Sequence, residues 1–335
     1  MNMANVQIFC YLKQVIDDLG LPGDEAGLFD RIKEASQVLA NKLGHYIPVS
    51  EARTFDGSKF SGEVKISPLL SVTSVVNDGD TLTTDEYTLL PLNREWPDGP
   101  YSYILPEDNM GQFSDELVIT GNWGKYSKTQ ALGINGTLAT AVVTSLVVTN
   151  GSLLWPGMVL LIDSEQMLVE ASNGGENSPD PTLATSQLAQ DMDDHSEEVL
   201  VDNGAEFFQG EVLRLDSEDV LIRRKAGHIL TLQRGWNNTT RAEHKMDCAM
   251  YVYRTATIQR GVNGSTAATH SGAAISYYKP PEDVNYLTRQ IAALMRQKAK
   301  TGFSGRQSGE NGEAFWINEF PSSKIHDIAL NYKLW

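Results

Sequence analysis

The chain has 335 residues, of which 41% are hydrophobic and 21% charged, so it can bury cores for about two domains. Its 43 acidic residues outnumber its 27 basic residues and give a net charge of -16, which argues against a surface that binds nucleic acid. The two cysteines, Cys10 and Cys248, indicate neither a disulfide framework nor a zinc framework. No apolar run has membrane-spanning length.

Helical periodicity is confined to the two ends of the chain. Residues 8–19 carry apolar side chains at helical spacing, and a second helix capped by Asp24 is predicted to stop at Gly44. A third helix follows Pro281, with acidic residues in its first turn and basic residues in its last. A short closing helix is predicted to begin near Ser322.

Between these ends the apolar period changes to two, which predicts β-strands. Short alternating runs separated by Asn, Asp and Gly turns predict one antiparallel β-domain at residues 55–130. More strands are predicted from residue 145 onwards. Residues 172–198 are rich in Gly, Asp and Glu and poor in apolar side chains, so we expect a mobile exposed loop there.

Two sequence blocks are duplicated in nested order. Residues 147–169 recur as residues 200–222, and residues 231–244 recur as residues 257–270. Both copies of the first block precede both copies of the second block, and this order results when one copy of a small domain is inserted into another copy. The sequence therefore predicts a β-module nested in its own duplicate.

Together these patterns predict an α+β protein, in which a helical bundle from N- and C-terminal helices carries inserted antiparallel β-domains. One of these β-domains is the nested pair. The predicted units are a helical bundle with a C-terminal arm at 1–54 and 280–335, a β-domain at 55–130, an outer β-module at 145–170 and 254–279, and an inserted duplicate at 198–253.

Each copy of the repeat carries an Asp-Ser-Glu motif and an Arg-Gly pair. Asp163 and Asp216 follow apolar strands, which is typical of hairpin turns, and a catalytic or calcium-binding role would need partners that no spacing reveals. Arg234 and Arg260 are predicted either to pair with the repeated acidic residues inside each module or to contact a neighbouring subunit.

No catalytic residue, cofactor or metal site is predicted. The glycine pairs lack the spacing and the Lys-Ser/Thr pair of a phosphate-binding loop. Only His244 and His270 share a sequence context, and that context is the repeat. A structural role such as closing a turn is therefore favoured over metal ligation for both histidines.

The C-terminal segment combines a spacer rich in Gly, Ser and Asn with an aromatic end. A flexible spacer leading to apolar residues predicts an arm that docks on a partner, although the same residues could fold back on the chain's own core. The predicted docking residues are Phe315, Trp316, Phe320, Ile325, Ile328, Tyr332 and Trp335.

Several segments resemble the head-tail connector, or adaptor, proteins of tailed bacteriophages. In the first part of the chain they are residues 39–49, 54–57, 69–76, 87–93 and 119–124. Further segments are similar to phage neck proteins of this type: Ile-Asp-Ser-Glu-Gln-Met at 162–167, Gln-Arg-Gly-Val-Asn-Gly-Ser-Thr at 259–266, His-Ser-Gly at 270–272, and Pro-Pro-Glu-Asp-Val at 280–284. The doubled β-module exceeds a minimal adaptor, so the resemblance implies no role for it.

The resemblance implies a structural virion protein without enzymatic activity. Such proteins form a ring, a dodecamer in this family, that joins the portal protein to the tail or to a stopper or tail-completion protein. Double-stranded DNA would pass through the lumen without specific binding. The ring would lie in the virion neck, at the head-tail interface, after assembly in the host cytoplasm, with the arm on the portal. The alternative is a carbohydrate-binding or hydrolytic β-rich tail component with aromatic residues along a groove.

Overall fold

The structure, a computed structural model, describes residues 5–57, 62–92, 100–107 and 111–300. It also describes the backbone of residues 306–308, 314–316 and 322–331, with the side chains of residues 323–327. β-Strands account for 41% of the structure and helices for 20%, and the strands form three large sheets, one of them a closed six-stranded barrel. The predicted fold class, a helical bundle with inserted β-domains, is therefore wrong.

Four α-helices lie in the described residues, at Leu12–Leu19 (α1), Leu28–Leu43 (α2), Glu282–Lys300 (α3) and Ser322–Asn331 (α4). The predicted stop of α2 at Gly44 is confirmed, since this C-cap glycine has a φ of 75°. The predicted cap at Asp24 is wrong, because the N-cap of α2 is Gly27. Helix α3 has the predicted acidic first turn and basic last turn.

The first helix, α1, is shorter than the run of helically spaced apolar residues that predicted it. Residues 5–10 are not helical, and they are held as an extended segment by side chains from distant parts of the chain. Gln7 accepts hydrogen bonds from the backbone N–H groups of Tyr46 and Ile47 and donates one to the Ile47 carbonyl. The apolar side chains of Ile8 and Phe9 are buried in this conformation. Tertiary contacts therefore override the helical spacing.

The first sheet follows α2. Its strands are Val49–Asp56 (β1), Val64–Asn77 (β2), Asp80–Thr81 (β3), Tyr87–Leu90 (β4), Tyr101–Pro106 (β5) and Glu116–Trp123 (β6). All pairings are antiparallel, in the order β1-β6-β2-β5-β4 with β3 on β2. Alternating burial along β6 places Leu117, Ile119 and Trp123 in a core that belongs to this sheet.

The first barrel contains Thr129–Leu138 (β7), Ser145–Val147 (β8), Val159–Ile162 (β9), Glu165–Ala171 (β10), Thr255–Gln259 (β17) and His270–Tyr278 (β18). It closes in the order β7-β18-β9-β10-β17-β8. Helices α1, α2 and α3 share its hydrophobic core, in which Ile32, Leu160 and Ile291 are fully buried. The helices thus cover a β-barrel and do not form a separate bundle.

The second module lies between β10 and β17. Its strands are Thr182–Gln187 (β11), Glu198–Leu200 (β12), Val212–Leu215 (β13), Glu218–Ala226 (β14), Ile229–Trp236 (β15) and Ala249–Val252 (β16). Their order, β11-β16-β13-β14-β15-β12, repeats the barrel order strand for strand, and a bridge between Leu188 and Val201 links the two edges. The two sequence copies therefore share one topology.

The predicted mobile loop at residues 172–198 is wrong. Strand β11 lies inside it and pairs with β16, and Leu188 and Met192 are buried in the core of the second module. The segment has few apolar side chains, but Ala184 and Ser186 are buried at alternate positions of β11, and Leu188 and Met192 enter the core after the strand ends. The second module therefore begins before residue 198, and β7 adds a strand to the first barrel before residue 145.

Candidate functional site

Each Asp-Ser-Glu motif forms a tight hairpin that buries its glutamate. Asp163 and Asp216 occupy the first loop position with φ values of 54° and 51°, a left-handed conformation that Asp tolerates. The next strand begins at Glu165 in the barrel and at Glu218 in the second module. Both glutamate side chains are almost completely buried. A buried carboxylate must be paired, so each hairpin needs a partner from elsewhere.

That partner is the arginine at the end of a distant strand. The Arg234 guanidinium contacts both carboxylate oxygens of Glu218, at 2.8 Å from Nε and 2.7 Å from Nη2. In the barrel Arg260 contacts Glu165 in the same way, at 2.6 and 2.7 Å. Two parallel charge-assisted hydrogen bonds fix the planar groups in distance and orientation. Each arginine therefore pairs with the glutamate of its own motif and not with Asp163 or Asp216.

Backbone groups complete both ion pairs. The N–H groups of Gly235 and Ala242 donate to Glu218 at 2.9 and 3.0 Å, and Gly261 and Ala268 donate to Glu165 at 3.1 and 2.9 Å. The Nη1 group of each arginine donates to two carbonyl groups of the loop between β11 and β12 in the second module, or between β7 and β8 in the barrel. These carbonyls belong to Asp193 and Ser196 in the second module and to Thr140 and Val143 in the barrel.

The repeated histidine joins the hairpin Asp to the buried Glu. His244 has Nδ1 2.8 Å from Asp216 Oδ2 and Nε2 3.1 Å from Glu218 Oε2. His270 makes the same contacts in the barrel, at 2.8 Å from Asp163 and 2.9 Å from Glu165. We call each set of Glu, Arg, His and Asp a glutamate network. Each network links two hairpins and one loop of its own module.

The electrostatics of the networks follow from these contacts. Burial alone would raise the pKa of Glu218, but hydrogen bonds from Arg234, His244 and the backbone outweigh it and lower the pKa to about 2. The pKa of Glu165 is also lowered, because hydrogen bonds from Arg260, Ala268 and His270 outweigh burial. Both carboxylates are therefore held in the charged form.

We expect the stability of both modules to be sensitive to acid. The folded-state pKa of Glu218 lies below its ordinary value of 4.5, so the network's stabilisation is complete above that pH and is lost as the pH falls towards about 2. The urea concentration at half-unfolding should decrease steadily between about pH 5 and pH 3. Urea titrations followed by circular dichroism at several pH values test this. A midpoint that stays constant over that range would contradict it.

A second repeated feature attaches the N-terminal segment to both modules. Asn263, at φ 54°, accepts a hydrogen bond from the Val6 N–H at 2.6 Å and donates to the Val6 carbonyl at 3.0 Å. The corresponding Asn237 has the same φ and accepts a hydrogen bond from the Asp24 N–H at 3.1 Å. The two copies therefore bind the backbone of the N-terminal part of the chain at two points, Val6 and Asp24.

The predicted docking residues of the arm are only partly described. Helix α4 contacts α2 and α3, and Ile325 is buried with 6% exposure in the core shared by the helices and the barrel. The backbone of Phe315 and Trp316 lies in a strand, Ala314–Trp316 (β20), that pairs with Arg306–Ser308 (β19), and Ile328 lies in α4. The side chains of these three residues, and all of Phe320, Tyr332 and Trp335, lie outside the described residues.

The sequence named Asp163, Asp216, Arg234 and Arg260 as site residues, and pairing of each arginine with a repeated Asp or Glu of its own module was one of two predictions. The structure brings each arginine to Glu165 or Glu218, two residues after the named aspartate. The repeat itself carried the signal, since Glu, Arg and His recur together in both copies. The asparagines at 237 and 263 also recur, but their partners in the N-terminal segment are not repeated and gave no signal.

Within the described residues, one group of three possible metal ligands occurs, made of Asp216, His244 and Cys248. No helix among those residues is both long enough and apolar enough to cross a membrane. A comparison with protein-family models gave no match, and a comparison with curated protein sequences gave none either. The functional assignment therefore depends on the residues and their geometry.

Proposed function

We propose that the chain is a structural virion protein, an adaptor subunit in the ring that joins the portal to the tail or stopper of a tailed phage. The observation that carries the proposal is that the buried charged groups of the glutamate networks are fully occupied by partners within their own module. Glu218 already receives hydrogen bonds from Arg234, His244, Gly235 and Ala242, and all of these donors lie in its own module. A carboxylate in this state holds strands together and has no free position for a substrate.

The residues that carry the resemblance to neck proteins support the same proposal. The segment 162–167 contains the barrel's Asp-Ser-Glu hairpin, and the segment 259–266 contains Arg260 and Asn263. The described residues of the segments in the first part of the chain lie at the end of α2, directly after it and in the first sheet. The similarity therefore covers residues of the first sheet, of the barrel and of the contact between the barrel and Val6.

Exposed apolar side chains support assembly with other subunits. Leu200 and Ile229 face each other across the β12–β15 pair and are 38% and 45% exposed, and Val147, at the repeat position of Leu200, is 56% exposed. The neighbouring Leu200 and Ile229 provide apolar surface that another subunit would bury. The net charge of -16 suits a conduit through which DNA passes without adhering.

The partners follow from the proposed position in the neck. They are further copies of this chain in a ring, the portal protein, and a stopper or tail-completion protein. Because Ile325 is buried in the chain's own core, the proposed contact with the portal rests on the other predicted residues of the arm.

Mass photometry of the purified full chain, alone and with the portal protein of the same phage, tests the proposal. We expect ring-sized particles or a defined complex with the portal. A chain with Phe315→Ala and Trp316→Ala serves as the matched variant, because it keeps Ile325 in the core, and it should lose portal binding. A chain that stays monomeric and binds no portal would contradict the proposal. Glycan binding or hydrolysis that disappears in Asp163→Asn or Asp216→Asn would favour the tail-component alternative.

A further inference from the structure

We infer that Asp216, His244 and Cys248 form a zinc-binding site in the second module. Asp216 Oδ2 lies 2.8 Å from His244 Nδ1 and 3.5 Å from Cys248 Sγ, and the three ligand atoms all lie within 4.8 Å of one another. In tetrahedral zinc sites the N···O and S···O separations are about 3.3 Å and about 3.6 Å, given the usual bond lengths. The side chain of Asp216 is 67% exposed, so it can supply the small adjustment.

The second coordination sphere is already present. His244 Nε2 faces the buried carboxylate of Glu218 at 3.1 Å, and Arg234 holds that carboxylate in place. Zinc-bound histidines usually donate their other ring N–H to a carboxylate, which fixes the orientation of the ring. His244 Nδ1 faces Asp216 Oδ2, and Cys248 Sγ lies next to that oxygen, so a zinc ion here would replace the proton that Nδ1 and Asp216 share. The network therefore fixes the ring with Nδ1 towards the other two ligands.

Comparison with the first barrel shows which of these residues are common to both modules and which is specific to the zinc site. It has the same Asp, Glu and His contacts, through Asp163, Glu165 and His270. Met250 pairs with Leu215, and Ile275 pairs with the corresponding Ile162, so the position equivalent to Cys248 is Ala273. The glutamate network of the barrel therefore forms without a cysteine at this position. In the second module Cys248 adds a third possible ligand to the Asp–His pair.

The ligand types and their exposure favour zinc over harder cations. A set of one sulfur, one nitrogen and one oxygen ligand suits Zn²⁺, whereas Ca²⁺ and Mg²⁺ prefer oxygen ligands alone. His244 is buried, Cys248 is half-buried and Asp216 is exposed, so an ion would reach the site from solvent and keep water as its fourth ligand. This exposure also makes the site able to exchange its metal.

Binding exchanges protons for the metal ion. When zinc binds, the Zn–S bond forms as the S–H proton leaves for solvent, and the Zn–N bond forms as the proton between His244 Nδ1 and Asp216 leaves. No oxidant or reductant is needed.

Metal titration of the reduced full chain tests the site, with Zn²⁺ alone by calorimetry and Co²⁺ alone by absorption. We expect one high-affinity ion per chain, an absorption band for charge transfer from thiolate to cobalt, and a higher Tm in the presence of zinc. Cys248→Ala should remove the band and weaken zinc binding at least about tenfold. This variant carries the alanine that the barrel already has at the matching position, so its fold should be retained.

Substitutions of the two aspartates provide the matched control. Asp216→Asn should weaken binding, whereas Asp163→Asn, the same change in the barrel, should leave both the affinity and the cobalt band unchanged. Failure of the unchanged chain to bind zinc would overturn the inference. Equal binding by Cys248→Ala, or equal weakening by both aspartate variants, would overturn it as well. A band that persists in Cys248→Ala would assign the thiolate to Cys10 and would also overturn it.

Discussion

Glu218→Gln is expected to destabilise the second module by about 3–5 kcal/mol, the usual cost of removing one partner of a buried ion pair. Glutamine keeps the size of the side chain, but it leaves the guanidinium of Arg234 without its counter-ion at 0% exposure. It also removes a carboxylate oxygen that accepts from His244. Urea unfolding followed by circular dichroism measures the effect.

Glu198→Gln is the matched control for this prediction. Glu198 lies in β12 of the same module and is exposed, so the same chemical change should alter stability by less than about 0.5 kcal/mol. Glu165→Gln should reproduce the large effect in the first barrel, where the ion pair with Arg260 is almost as deeply buried. Equal stability of the Glu218→Gln and Glu198→Gln chains would show that the network does not hold the module together.

Removal of residues 182–252 is expected to leave the rest of the chain folded, with a large loss of β-sheet signal. Thr182 and Val252 are direct partners in the β11–β16 pair, so the cut ends lie about 5 Å apart and a short Gly-Ser linker can join them. The first sheet keeps its own core, whereas the core of the first barrel and its covering helices loses Val212, Leu221 and Trp236. Circular dichroism and thermal unfolding should show a reduced but cooperative transition.

The shortened chain should be less stable than the full chain, since the contacts of the second module with the rest of the chain are lost. Glu211 forms an ion pair with Arg254 at 2.7 Å and accepts from the Gly151 N–H, and Asn237 binds the Asp24 backbone. Removal of residues 198–253 is the informative comparison, because it leaves β11 without β16 and exposes Leu188. That chain should aggregate. If both shortened chains behave alike, the module boundary at β11 is wrong.

The two copies differ in sequence at most positions but keep the same charged network. In both, Glu accepts from Arg, from His and from two backbone N–H groups, and each partner comes from a different part of the module. An apolar contact can be replaced by another of similar volume, whereas a buried ion pair is destabilising if one partner is lost. This asymmetry explains why the network persists where the surrounding core has diverged.

Sequence alone determined the features that depend on neighbouring residues. The positions of α2, α3 and most strands followed from periodicity and from turn residues, because the apolar face and the turn are local properties. The nested duplication was also readable, since it is a comparison of the sequence with itself, and the two copies do share a strand order. Asp163 and Asp216 were correctly placed in hairpins for the same local reason.

Only the tertiary structure decided the features that join distant segments. β7 and β11 have no counterpart in the repeated blocks, yet each closes its module by pairing with a strand far along the chain. The helical stripe of residues 8–19 was partly overridden, because the side chains of Asn263 and Ser36 accept hydrogen bonds from the backbone of an extended segment. The contact between Cys248 and Asp216 is likewise formed only by the tertiary structure. Spacing along the chain does not encode such contacts, because the free energy that selects them comes from burial and pairing of segments that fold together.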